Sequence, residues 1–329
     1  MPSSNGALYP TVFEPILKER VWGGRTLERL YSKRLPAAVP IGESWEISDR
    51  PGDESVIGNG PFAGRTLRWL MDEHGVEVLG ASAPAHGHRF PLLCKILDAR
   101  EKLSLQVHPP PRSSGQLGEP KTEMWYIAGA DPGAELFVGL RHGIGRDAFE
   151  RAIREGRVAD CFHRISVRAG DAMFLPSGRV HAIGAGLVIF EIQQNSDTTF
   201  RVYDWDRVGL DGRPRELHLE QSLASIDFSD VTPALVPRVA PDGEASSSRP
   251  LVRDPLFNID LVESDPPAVA SIDPGRARVI AVVRGEVVVE GSGVETPLGA
   301  GQFCLLPASI TDARVASRPH SAYLLVEAG

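Results

Sequence analysis

The sequence predicts a mainly β protein made of two β units with a few short helices. Three observations carry that reading. Glycine and proline, 33 and 27 in number, are spread along all 329 residues and divide the chain into many short strands and turns. The stretch Gly170 to His181 reads as a glycine, a short apolar strand, a turn on Pro176 and Gly178, and a return strand opened by His181. Proline presets φ for a turn and glycine accepts positive φ, so this hairpin has a mechanism. Gly301 to Asp312 repeats the outline, with Ser309 at the second glycine and Asp312 at the histidine.

The first of these stretches matches G-x5-P-x-G-x2-H and resembles the second motif of the cupin superfamily, with Ala185 at the trailing asparagine position. The resemblance implies two jelly-roll (cupin) barrels, with the motif histidine pointing inward to a metal. No Gln-x-His or His-x-His lies near Val279 to Gly285, so the second cupin reads as degenerate. The expected organisation is a metal-binding cupin domain over 1–231, a linker over 232–250 and a degenerate cupin domain over 251–329. The linker reading rests on its mixture of Pro, Gly, Ser and Ala.

Along the chain, Thr26 to Tyr31 reads as a short helix, and Glu43 to Ser48 as a strand by alternation. Trp22 and Trp45 read as packing anchors. Thr66 to Leu79 has apolar residues at helical spacing, as Leu67, Leu70, Met71 and Val78. His86 and His88 lie in a small-residue loop and read as solvated. Phe90 to Leu97 is an apolar strand with Lys95 embedded in it, which calls for an anion or a carboxylate nearby. Pro132 to Leu140 and Leu187 to Gln193 read as strands, and Asp147 to Glu155 and Leu217 to Ile226 as short helices. In the second unit, strands are expected over 256–262, 278–283, 286–290 and 302–307.

If His181 is a metal ligand, its partners should lie on facing strands. Gln106 and His108 are two apart, so on a strand they share a face. Glu123 sits among apolar and aromatic residues, where an unpaired carboxylate is costly. Gln106, His108, Glu123 and His181 together form an N/O set for one divalent ion, with zinc the first choice. Lys121, two residues before Glu123, falls on the same face. A lowered pKa beside a metal would let it shuttle protons. Arg201, Tyr203 and Trp205 alternate onto one face that suits an anionic sugar, with an Arg201 ion pair to Asp197 or Asp204 as the alternative.

Several segments resemble the class I (type I) mannose-6-phosphate isomerases in their short bacterial form. They are Gly42 to Ile47, Lys95 to Ala99, Leu103 to Pro110, Lys121 to Ile127, Val180 to Gly186 and Glu191 to Trp205. The likeness runs from near the N-terminus to about Phe228 and more weakly beyond. The link from His108 to Lys121 is proline-rich and shorter than the family pattern. The resemblance implies interconversion of mannose 6-phosphate and fructose 6-phosphate through an enediol(ate), with the substrate phosphate on Lys95 and Ser104. An ammonium and a hydroxyl suit phosphate oxygens, although a salt bridge to a nearby acid is the plainer role for Lys95. Glu191 is the first candidate base, Lys121 the second, and Arg201 steadies the enediolate or sugar oxygens. Competing readings are an iron-dependent cupin dioxygenase, a non-catalytic sugar-binding cupin, and an isomerase of an unphosphorylated sugar.

Composition bounds the rest. A net charge of −8 and a pI near 5.6 argue against nucleic-acid or anionic-membrane partners. The expected partner is a small-molecule sugar phosphate, bound by a monomer or homodimer. Cys94, Cys161 and Cys304 are far apart and form no CxxC pair, as suits a reduced, cytoplasmic protein. Met1 to Pro10 lacks a basic start and an apolar run, so no signal peptide is expected there. No apolar run approaches membrane-spanning length.

Overall fold

The structure, a computed structural model, describes residues 6–83, 89–111, 117–238 and 246–329. His86, His88, part of the His108–Lys121 link and residues 239–245 lie outside them.

Four larger antiparallel sheets stack on one another. A six-stranded sheet runs, in spatial order, Ala172–Leu175, Glu123–Ala130, Leu187–Gln194, Leu92–Ala99, Ile41–Ile47 and Ile16–Gly24. A five-stranded sheet faces it, in the order Phe162–Ser166, Glu135–Leu140, His181–Ile183, Leu105–Val107 and Phe200–Tyr203. Trp125, Ile127, Met173 and Ile189 of the first meet Leu136, Val138 and Ile183 of the second in one apolar core.

The other face of the six-stranded sheet is covered as well. Cys94, Ile96, Met124, Phe190 and Ile192 pack with Ile259, Leu261, Val279, Phe303 and Leu324 of the second unit. Those residues belong to a five-stranded sheet ordered Ser246–Asp254, Phe257–Ser264, Ser321–Ala328, Arg278–Arg284 and Phe303–Leu306. A four-stranded sheet, ordered Val269–Ser271, Arg314–Ser317, Glu286–Gly291 and Val294–Gly299, closes the far side over its own core. Each unit is thus the double-sheet form of a jelly roll. Among the described residues no strand pairing closes either one into a barrel.

This stacking explains the apolar runs in the sequence. All eight residues of Leu92–Ala99 are buried, because a strand covered on both faces has no solvent side. Phe190 stacks on Phe303 with centroids 5.5 Å apart, joining the two units. Truncating such a buried ring costs about 3–5 kcal/mol. The helix Leu67–Leu79 starts where expected, its N-cap Thr66 hydroxyl accepting from Trp69 N at 3.0 Å. Arg146–Arg154 packs through Phe149 and Ala152. Residues 246–250 of the expected linker belong to the strand Ser246–Asp254.

The hairpin before His181 has the predicted turn. Gly170 and Gly178 both have positive φ, at 87° and 91°. Gly178 N donates to His108 O at 2.9 Å, which ties the turn to the strand that carries Gln106 and His108. In the second unit Asp312 accepts from Ser292 N at 2.9 Å and lies exposed, so it braces a turn where the first unit has its histidine.

Candidate active site and metal centre

Strand register sets out the site. Glu191 lies opposite Lys95 on one side and opposite Trp125 on the other. Trp45 lies opposite Lys95 in turn. One row across the sheet therefore reads Trp125, Glu191, Lys95, Trp45. Lys95 Nζ is 3.3 Å from Glu191 Oε2 and 3.9 Å from Glu43 Oε2. Trp125 Nε1 donates to Glu191 Oε1 at 2.9 Å, and Trp45 Nε1 donates to Glu43 Oε2 at 2.6 Å. Burial alone would raise Glu43, but Lys95, Arg20 and the Trp45 indole hold its carboxyl down to about 2. The lysine in an apolar strand thus has its carboxylates, and the salt bridge weighed from sequence is present.

Glu123, fully buried, lies on the same face two residues before Trp125. Its Oε1 is 3.2 Å from His181 Nε2, and its Oε2 is 3.5 Å from His108 Nε2 and 3.0 Å from Lys121 Nζ. Gln106 lies opposite His181 in the facing sheet, with Nε2 3.3 Å from His181 Nε2. The other ring nitrogens are engaged: His108 Nδ1 lies 2.8 Å from Thr198 O and His181 Nδ1 lies 2.9 Å from Arg179 O. A carbonyl accepts only from N–H, so both rings carry the proton on Nδ1 and turn the Nε2 lone pair inward.

That arrangement fits a cation. Among the described residues His108 Nε2 and Glu123 Oε1 are buried and have no hydrogen-bond partner, and Glu123 Oε2 has the Lys121 ammonium beside it. The two bare atoms are in an expensive state unless something satisfies them. Burial, with Lys121 adding to it, holds His108 down to about 4 despite Glu123, and burial likewise lowers His181. Both imidazoles are therefore neutral and able to ligate. Burial would raise Glu123, but the Lys121 ammonium, the largest of the opposing causes, helps keep the carboxylate ionised. Among the described residues, His108, Glu123 and His181 are the one group of three side chains placed to hold a metal ion.

Lys121 runs against expectation. Burial would lower it, but Glu123 and then Glu191 hold its ammonium charged, above the ordinary lysine range. The lowered value expected from sequence supposed a metal sharing the charge of Glu123.

A cavity of 570 Å³ opens beside this centre, lined among others by Lys95, Ser104, Gln106, Lys121, Glu191 and Arg201. All nine residues singled out from sequence thus gather at one place. Among the described residues Arg201 makes no ion pair; Nη1 donates to Glu216 O at 2.8 Å and the buried Nε has no partner there. Asp204 instead pairs with Arg207 and Arg215. The shared face expected for Arg201, Tyr203 and Trp205 is broken by a register shift between Arg201 and Tyr203. Trp205 turns away to donate to Leu103 O at 2.6 Å.

Other wall residues are not among those nine, and Trp22 reads from sequence as packing only. Glu43 anchors the Lys95 pair, and Trp22 lines the cavity as well as packing. Glu43 alternates with Trp45 in a strand, and that embedded carboxylate was the available signal. Asp197, Asp211 and Leu210 also line the cavity; Asp211 and Leu210 come from a loop whose placement no local pattern reveals.

The fold is that of a cupin, and its buried His–Glu–His group could hold a metal ion. Comparison with known proteins narrows that class. The family profile described as phosphomannose isomerase type I, catalytic domain, matches residues 12–140. A putative mannose-6-phosphate isomerase of Bacillus subtilis is 34% identical over 92% of this chain and 94% of its own. The mannose-6-phosphate isomerase of Streptococcus mutans is 35% identical over 82% and 86%. A crystal structure of the mannose 6-phosphate isomerase from Bacillus subtilis superposes with a TM-score of 0.86 at 31% identity, over 97% of this chain and 99% of that one. The chain belongs to the type I mannose-6-phosphate isomerases and is an aldose–ketose isomerase.

Proposed function

We propose that the protein interconverts mannose 6-phosphate and fructose 6-phosphate by moving a proton between C1 and C2 through an enediol(ate). Gln106, His108, Glu123 and His181 hold one divalent ion, zinc before others, since two imidazoles with amide and carboxylate oxygens suit it. When bound, that ion supplies Lewis-acid stabilisation of the developing oxyanion. The observation that carries the reading is the convergence of two inward-facing imidazole Nε2 atoms on the buried Glu123 carboxylate, with His108 Nε2 and Glu123 Oε1 left bare among the described residues.

Charge balance supports a phosphorylated substrate. The inner cavity holds two buried ammonium groups, Lys95 and Lys121, against three buried carboxylates, Glu43, Glu123 and Glu191. One net negative charge becomes one net positive charge with a divalent cation. Lys95 and Ser104 hold the phosphate. A phosphate on Lys95 competes with Glu191 for that ammonium and frees the Glu191 carboxylate for the proton step. Glu191 then takes the proton from carbon, Lys121 supplies a charged donor beside the centre, and Arg201 steadies sugar or enediolate oxygens through its unpartnered Nε. The three buried free cysteines support a reducing cytoplasmic setting, in which the protein acts as a monomer or homodimer. No helix among the described residues is long and apolar enough to cross a membrane.

A coupled isomerase assay on purified protein, before and after chelation, tests the reading. Activity on mannose 6-phosphate that vanishes with the metal and returns on zinc addition supports it. Full activity after complete metal removal, or no activity with a loaded site, refutes it.

A further inference from the structure

The seam between the two units contains a second cavity, of 730 Å³. It opens on the opposite face of the strand that builds the metal centre. Glu123 and Trp125 point to the first site, while the intervening register sends Tyr126 to the other face. Tyr31, from the end of the first helix, joins Tyr126 in the wall, and Arg238, Arg249 and Arg284 surround the opening.

These guanidiniums gather in a chain of net charge −8, and they are unevenly compensated. Arg238 pairs with Asp171 at 2.7 Å. Arg284 lies 3.4 Å from Glu263, with both side chains largely exposed. Arg249 has no carboxylate partner among the described residues; it donates only to the Pro237 and Gly170 carbonyls, each at 3.2 Å. It is partly buried, and burial, with Arg238 also close, weakens its hold on its proton. Neither tyrosine hydroxyl has a hydrogen-bond partner among the described residues. The cavity therefore presents guanidinium and phenol donors together, above an apolar floor that includes Leu30, Leu261 and Val283. A phosphate dianion accepts from such donors at several oxygens at once, and the apolar floor suits a carbon body attached to it.

We propose that this cavity is a second ligand site, separate from the isomerase centre, that takes a phosphate ester through Arg249, Arg284 and the tyrosine hydroxyls. Titration calorimetry on the whole protein tests it, with phenyl phosphate as the ester probe and inorganic phosphate as the free anion. Arg249→Gln combined with Arg284→Gln removes two charges, neither in the isomerase machinery. Tyr126→Phe removes one donor and disturbs no ion pair. The expected result is a phenyl phosphate site in the native protein that weakens about tenfold or more in each variant, as for loss of a charge-assisted contact. The Michaelis constant and turnover number for isomerisation stay at native values. Equal binding by the native protein and both variants places the probe elsewhere and overturns the proposal. So does absence of binding at millimolar concentration. Inorganic phosphate binding as tightly as phenyl phosphate overturns the ester assignment.

Discussion

Trp125 joins the two halves of the site: its Nε1 donates to Glu191 Oε1 at 2.9 Å, and its ring meets the His181 imidazole edge-on at 88° with centroids 5.1 Å apart. One fully buried indole thus orients a carboxylate and backs a histidine of the metal group. Trp125→Phe keeps an aromatic ring and deletes the donor. The expected outcome is a fall of about tenfold in the turnover number with a nearly unchanged Michaelis constant and full metal content, as for one lost hydrogen bond. A change confined to the Michaelis constant would contradict a positioning role.

Glu191 and Lys121 are ranked by their surroundings. Lys121 is held charged by Glu123 and Glu191, which suits a donor and not a base. Glu191→Gln keeps the shape and removes the basic oxygen. Its turnover should drop by about 10²–10⁴, the usual contribution of a general base. Steady-state kinetics with metal content checked alongside measures this. A larger loss in Lys121→Gln would move the base to the lysine.

Lys95 faces both Glu191 and the cavity. On the proposed reading, Lys95→Ala raises the Michaelis constant for mannose 6-phosphate about tenfold or more through a lost charge-assisted contact. Activity on unphosphorylated mannose, if measurable, changes much less. A drop in turnover number with an unchanged Michaelis constant would assign Lys95 to the Glu191 proton step instead.

Acid should destabilise the metal-free protein through the histidines. Burial holds folded His108 down to about 4, below the ordinary histidine value of 6.5. Between those values the unfolded chain binds more protons, so stability falls as pH falls through that window. The full effect of His108 is on the order of 3 kcal/mol. His181 acts in the same direction. Thermal melts of chelated protein from pH 7 to 4.5 should show a steadily falling midpoint, and a flat profile would show that these imidazoles are not buried neutral.

Much of this site was legible because it is built from local patterns. The Pro176–Gly178 turn fixes where His181 starts, and the period of two carries Gln106, Glu123 and Trp125 to predictable faces. Lys95 and Glu191 stood out as charges inside apolar strands. What local pattern could not show is register across strands. Nothing near Glu191 in the chain says that Lys95 and Trp125 flank it. The face expected for Tyr203 and Trp205 failed because one bulge resets alternation. The strands Arg314–Ser317 and Ser321–Ala328 were missed: the first is four residues of mixed character, and the second is a short apolar run around Tyr323 to Val326 that lacks clear alternation.

The most direct test is a zinc-edge anomalous map from a crystal grown with zinc, read with metal analysis of the same protein. The account predicts one ion per chain among Gln106, His108, Glu123 and His181, and loss of isomerase activity when it is stripped. A site without a peak in protein that still isomerises mannose 6-phosphate would contradict it.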